Sequence, residues 1–172
     1  NINKNKSLVE REIEEYLPVI SDEGDEKSTL FENLTYQGFY DLDKKFVVKS
    51  KKAQINEKEP DIVLMVDMHV ILYLKDGRII NIMSDKGKYN KVNYDCFFEQ
   101  NVKAEDGETK IFAENLDLLA TENFVKIYQQ VRLFHPTGSL LEADQILYDF
   151  ETKYFAVKMF SNDKAVKMKV LK

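Results

Sequence analysis

The sequence predicts an all-β fold: an elongated antiparallel jelly roll, or two-sheet sandwich, built from repeats of about thirty residues. A short N-terminal helix or flexible arm precedes it. Three observations carry this. Apolar residues alternate with a period of two along several stretches. Those stretches are rich in β-branched and aromatic residues from Phe31 onward. Turn signals recur between them at nearly constant spacing.

The arm comes first. Ser7 and Glu10 have capping-box spacing, and Val9, Ile13, Tyr16 and Leu17 fall at helical intervals. The pattern predicts a helix over 8–17 that Pro18 stops. The acidic run Asp22, Glu23, Asp25, Glu26 then reads as a solvated linker. Residues 1–27 are therefore expected to be a stalk or a frayed end, and 28–172 a β domain. The chain starts at Asn1 and holds no run of about 18 apolar residues. An anchor, if the full protein has one, is expected upstream of Asn1.

The strands follow. Val66, Met68, Val70, Leu72 and Leu74 alternate with Asp67, His69, Ile71, Tyr73 and Lys75, which puts the first set on one face. Cys96, Phe98, Gln100 and Val102 form a second set. Val125, Ile127, Gln129, Val131 and Leu133 form a third, and Phe155, Val157 and Met159 a fourth. Gln100 and Gln129 interrupt apolar faces. A buried amide needs partners, so these positions are expected to be sheet edges, wet sites, or local bulges that shift the parity.

The turns repeat. Asp76-Gly77 and Asp106-Gly107 are hairpin signals, because type I′ turns need positive φ, and Pro136-Thr137-Gly138 follows them. Polar breaks fall between, at Tyr89-Asn90-Lys91, Thr121-Glu122-Asn123 and Glu151-Thr152-Lys153, with Tyr94, Phe124 and Tyr154 after them. A small residue precedes an acid at Ser84-Asp85, Ala113-Glu114 and Ala143-Asp144. Each unit thus holds two strands and two turns. None can bury its apolar face alone, so the units fold over one another into two facing layers.

Composition and motifs exclude several functions. The net charge is −5, which argues against binding nucleic acid through phosphates. One cysteine, Cys96, allows no internal disulfide and no Cys-based zinc site, and reads as a small core residue. His69 alternates onto a polar face and His135 lies beside Pro136 in a turn, without metal-ligand spacing. No nucleophile elbow, P-loop or HExxH motif is present, so no enzyme, cofactor or metal is expected.

The repeats resemble the OstA-type unit of lipopolysaccharide transport proteins. Phe31 to Ala53, with Gly38, Tyr40, Phe46 and Lys52-Ala53, is similar to the first hairpin of the LptC family. The resemblance spans roughly residues 30 to 170. It implies a curved jelly roll without a catalytic centre, held in the periplasm by a single inner-membrane span absent from this sequence. It also implies an interior that shields the acyl chains of lipid A. The inward candidates are Val66, Met68, Val70, Leu72, Ile82, Phe98, Val102, Val125, Ile127, Val131, Leu133, Val157 and Met159. Burying one methylene is worth about 0.8 kcal/mol, so such a surface suits a long-chain lipid.

Two edges are implied as partner sites. The N-terminal edge meets the inner-membrane ABC transporter LptBFG. The C-terminal edge, Ala165, Val166, Lys167, Met168, Lys169 and Val170, adds to an LptA-like periplasmic protein by strand pairing. A soluble relay protein of the LptA type, or a closed β-sandwich adaptor that binds only proteins, fits the same strands.

Overall fold

The structure is a computed structural model and describes the backbone of residues 9–13, 19–23, 26–40, 44–160 and 167–169. In chain order the strands are β1 (Val9–Ile13), β2 (Val19–Glu23), β3 (Glu26–Tyr40), β4 (Lys44–Asn56), β5 (Ile62–Tyr73), β6 (Ile79–Asn90), β7 (Cys96–Asp106), β8 (Thr109–Leu118), β9 (Val125–Phe134), β10 (Leu140–Tyr148), β11 (Phe155–Lys158) and β12 (Lys167–Lys169). Strands β3 to β10 pair antiparallel, each with the next. That is what short connections permit. Among the described residues no helix is long and apolar enough to cross a membrane.

The two expected layers are one continuous sheet folded over. The fold line is visible in the ladders. Asn33, Asp67, Gln100, Asn101, Gln129 and Gln130 all have positive φ in mid-strand. From β6 onward the register also slips by one residue at this line, between Met83 and Lys86, Glu99 and Val102, Phe112 and Asn115, and Ala143 and Gln145. Bulges bend and twist a strand. In successive long strands they bend the whole sheet, and each strand gives half its length to each layer. The bulges expected at Gln100 and Gln129 are therefore present, and both residues face solvent.

Contacts across the fold show that the halves face each other. The rings of Tyr36 and Tyr89 lie 5.2 Å apart, and those of Phe46 and Tyr94 lie 5.6 Å apart. Between the layers lies one apolar cluster that runs from Phe31 to Phe150. Leu34, Met68, Ile80, Ile82, Tyr89, Phe98, Leu116, Ile127 and Ile146 are among its fully buried side chains.

The ends depart from expectation. Val9–Ile13, expected within a helix over 8–17, is a strand on β3, in register from Val9 with Gly38 to Ile13 with Leu34. The rest of that helix lies outside the described residues. Asp22 and Glu23, expected in a linker, belong to β2, which pairs Val19 with Leu30 and Glu23 with Glu26. The β domain thus reaches into 1–27. Apolar residues four apart suit a helix and apolar residues two apart suit a strand. Val9 and Ile13, four apart, share a face in a helix and, since four is even, in a strand as well, and an open edge on β3 decides in favour of the strand. At the other end β11 pairs with Gln145–Tyr148 and β12 with Leu140–Glu142, both on the outer edge of β10. Of the expected docking segment, Lys167, Met168 and Lys169 form β12. Ala165, Val166 and Val170 lie outside the described residues.

One close approach in the core yields a stability prediction. A Cβ on Gly87 would sit 2.8 Å from the carbonyl oxygen of Phe97 and collide with the Met68 thioether. Strands β5, β6 and β7 are held at that spacing by their ladders, so the backbone must shift. Gly87→Ala should cost about 1–3 kcal/mol in urea unfolding, typical of overpacking.

Candidate functional site: an apolar interior with a polar latch

The interior assembles most of the expected lipid-facing set. Met68, Val70, Leu72, Ile82, Phe98, Val102, Val125, Ile127, Val131 and Leu133 are buried in the single cluster, and Val157 and Met159 pack partly buried against it. Val66 does not belong. It is 44% exposed, while Met65 and Met68 on either side are buried. The cause is Asp67, whose φ of 54° marks the fold line in β5. Alternation is inward at Val63 and Met65, breaks at Asp67, and resumes inward at Met68.

Other interior residues were not in the expected set. Leu34, Tyr36, Phe46 and Val48 come from β3 and β4, and Leu116 and Ile146 from β8 and β10. Phe46 and Val48 pair with Leu72 and Val70, and Leu116 and Ile146 with Ile127, all residues whose parity was legible.

Three expected residues line a cavity of about 1030 Å³ along the fold line of β7 to β10. Val102, Val131 and Met159, with Ala113 and Ala143, supply its apolar groups. Asn101, Lys103, Gln130, Arg132, Glu142 and Asp144 supply polar ones. Arg132 stacks over the Phe112 ring at 5.6 Å. The cavity is amphipathic, because the bulges bring inward and outward residues of the same strands to one place. The recurring small-then-acid pairs Ala113-Glu114 and Ala143-Asp144 sit here.

Deeper in the interior, the hydroxyls of Ser50 and Tyr89 are buried without a hydrogen-bond partner. Burial pushes the Tyr89 phenol well above its usual range, so it stays protonated and can donate. Burial likewise pushes the Cys96 thiol far up, which leaves it unreactive. His69 bonds Asn81 through Nε2 at 2.8 Å, and His135 bonds Thr137 within its turn. Both are satisfied locally. Among the described residues no group of three His, Cys, Asp or Glu could hold a metal.

Opposite the fold line, the turns form two rims, and a polar cluster joins them. Arg78 lies after the Asp76-Gly77 turn. Its Nη1 donates to both carboxylate oxygens of Asp106, at 2.9 and 2.7 Å. Its Nη2 donates to the carbonyls of Phe150 and Glu151, at 2.6 and 3.2 Å. The Tyr148 hydroxyl donates to Asp106 at 3.1 Å. Burial first, then the Asp106 charge, hold that phenol well above its usual range, so it remains a donor. The Arg78 guanidinium also bonds Asp76 and holds its carboxyl below the usual carboxylate range. Lys44 pairs with Glu151 across the same gap. In the sequence Asp76 and Asp106 signal only turns. The available hint was Arg78, one of few arginines among 25 basic residues, since Arg suits buried bidentate pairs where Lys does not.

Together these features define an elongated β-jelly roll with an apolar interior. Its fold is similar to that of LptH from Pseudomonas aeruginosa, described as the LptA homologous periplasmic component of the lipopolysaccharide transport device. The TM-score is 0.57 at 15% identity, over 74% of this chain and 95% of that one. The model of the family described as lipopolysaccharide-assembly, LptC-related, matches residues 20–135, more than half of the sequence. The chain belongs to that family. No curated protein matches it in sequence.

Proposed function

We propose that this chain is a periplasmic lipopolysaccharide carrier of the LptC type. It receives lipid A acyl chains into its interior from an inner-membrane ABC transporter, LptBFG, and passes them to an LptA-like protein through the C-terminal edge. A single membrane span upstream of Asn1 anchors it. The observation that carries this reading is the interior itself. Its apolar lining crosses every strand from β3 to β10 and opens into an amphipathic cavity among β7 to β10. An acyl chain gains about 0.8 kcal/mol per methylene there, and a polar headgroup finds Lys103, Arg132, Asn101 and Gln130 beside it. The unpartnered hydroxyls of Ser50 and Tyr89 support the same reading. An acyl linkage brings carbonyl acceptors that a hydrocarbon core lacks.

Both sheet edges carry short added strands, β1 and β2 on β3, and β11 and β12 on β10. A partner strand at either end must pair outside these or replace them. At the C-terminal end the Lys-rich segment of β12 favours an acidic partner strand and disfavours copies of itself.

Photo-crosslinking residues placed one at a time at Phe98, Ile127 and Val131, with Phe97 and Lys126 as outward controls, test the lipid path in cells. Capture of lipopolysaccharide at the inward positions alone is expected. Absence of capture at all of them, in a folded protein, would leave a closed core and favour an adaptor that binds only proteins.

A further inference from the structure

Polar contacts join the two rims, so a lipid that enters between them must part those contacts. Arg78 and Asp106 stand on one rim, directly before β6 and at the end of β7. Tyr148, Phe150 and Glu151 stand on the other, at the end of β10. On a flat sheet Asp106 and Tyr148 would be separated by some ten residues of strand, roughly 35 Å at about 3.3 Å each. Folding brings them to a hydrogen bond.

The division of the bonds matters. The ion pair lies within one rim: Arg78 Nη1 meets both Asp106 oxygens there, so parting the rims does not require breaking it. Only three hydrogen bonds of the cluster cross the gap. They are Tyr148 to Asp106, and Arg78 to the Phe150 and Glu151 carbonyls. These can be exchanged for water at the rim without separating buried charges, a separation that would be far costlier. Lys44 to Glu151 also crosses, and it too can part without separating Arg78 from Asp106. The apolar contacts across the gap are non-directional and re-form around an acyl chain as well as around each other.

We propose that the Arg78–Asp106–Tyr148 cluster is a reversible latch that gates sideways entry of acyl chains into the jelly-roll interior, with the ion pair staying whole on one rim. This rests on the reading that the interior takes acyl chains. The latch fixes the closed state by directional bonds and opens by breaking only those that cross. An ordinary core clamp would stabilise the fold and leave the rate of ligand entry unchanged.

The test uses stopped-flow uptake of fluorescein-labelled lipopolysaccharide. A bis-maleimide with a reducible disulfide spacer joins Asp76→Cys to Thr152→Cys across the rims. Asp76 bonds Arg78 within its own rim, so its loss does not cut the crossing bonds. Cys96 is 2% exposed and does not compete for the reagent. The staple should slow uptake at least tenfold, and reduction should restore it. The triple variant Arg78→Met, Asp106→Leu, Tyr148→Phe removes the polar bonds without leaving a buried charge and should speed uptake about tenfold. Uptake by the stapled chain at the unmodified rate overturns the latch while leaving the carrier reading intact. No uptake by the unmodified chain overturns the carrier reading, and the latch with it.

Discussion

Arg78→Ala is expected to destabilise the fold by about 3–5 kcal/mol, the loss typical when one partner of a buried ion pair is removed. The Asp106 side chain is only 2% exposed. Without Arg78 its carboxylate keeps one neutral donor, the Tyr148 hydroxyl. The Phe150 carbonyl loses its donor at the same time. The triple variant Arg78→Met, Asp106→Leu, Tyr148→Phe should instead lie within about 1 kcal/mol of the parent chain. Well-packed apolar replacement of a buried pair is often neutral, and no hydroxyl is left stranded. Equilibrium urea unfolding checks both. A single variant as stable as the parent would mean that water already reaches Asp106. A triple variant as unstable as the single one would mean that the cluster also holds the geometry of the turns after β5 and β10.

The strands and turns of this fold were largely legible because the alternation has a period of two and the hairpin turns carry Gly at positive φ, as at Gly77, Gly107 and Gly138. The fold line was legible only as a pattern without a meaning. Ala113-Glu114 and Ala143-Asp144 recur in sequence, and their place at the register slips is set only when each strand pairs with its neighbour. Gln100 and Gln129 announced the bulges because amides on apolar faces are costly. Asp67 did not, because it already stood on the polar side of an alternating run. The arm misled for a different reason. A segment too short to be stable alone takes the conformation of whatever backbone edge it meets. The Arg78 cluster was illegible because its members come from turns 28 and more residues apart, which only the folding of the sheet brings together.

The consequence of that missed break at Asp67 is large and measurable at two neighbouring sites. Met68→Asp should unfold the domain or cost more than about 4 kcal/mol, because the side chain is 1% exposed and the surrounding cluster offers no cation. Val66→Asp, two residues away, should change stability by no more than about 0.5 kcal/mol, since its side chain is 44% exposed. Unbroken alternation predicts equal damage at both, because residues two apart share a face. Val66 pairs with Lys52 and Lys86 in the neighbouring strands, so an aspartate there meets opposite charge on each side. Urea midpoints for the two variants decide the matter. Equal loss at both positions would place Val66 in the interior and remove the fold line from β5. A large loss at Met68 alone fixes the bend at Asp67, and with it the boundary between the residues that can touch an acyl chain and those that face water.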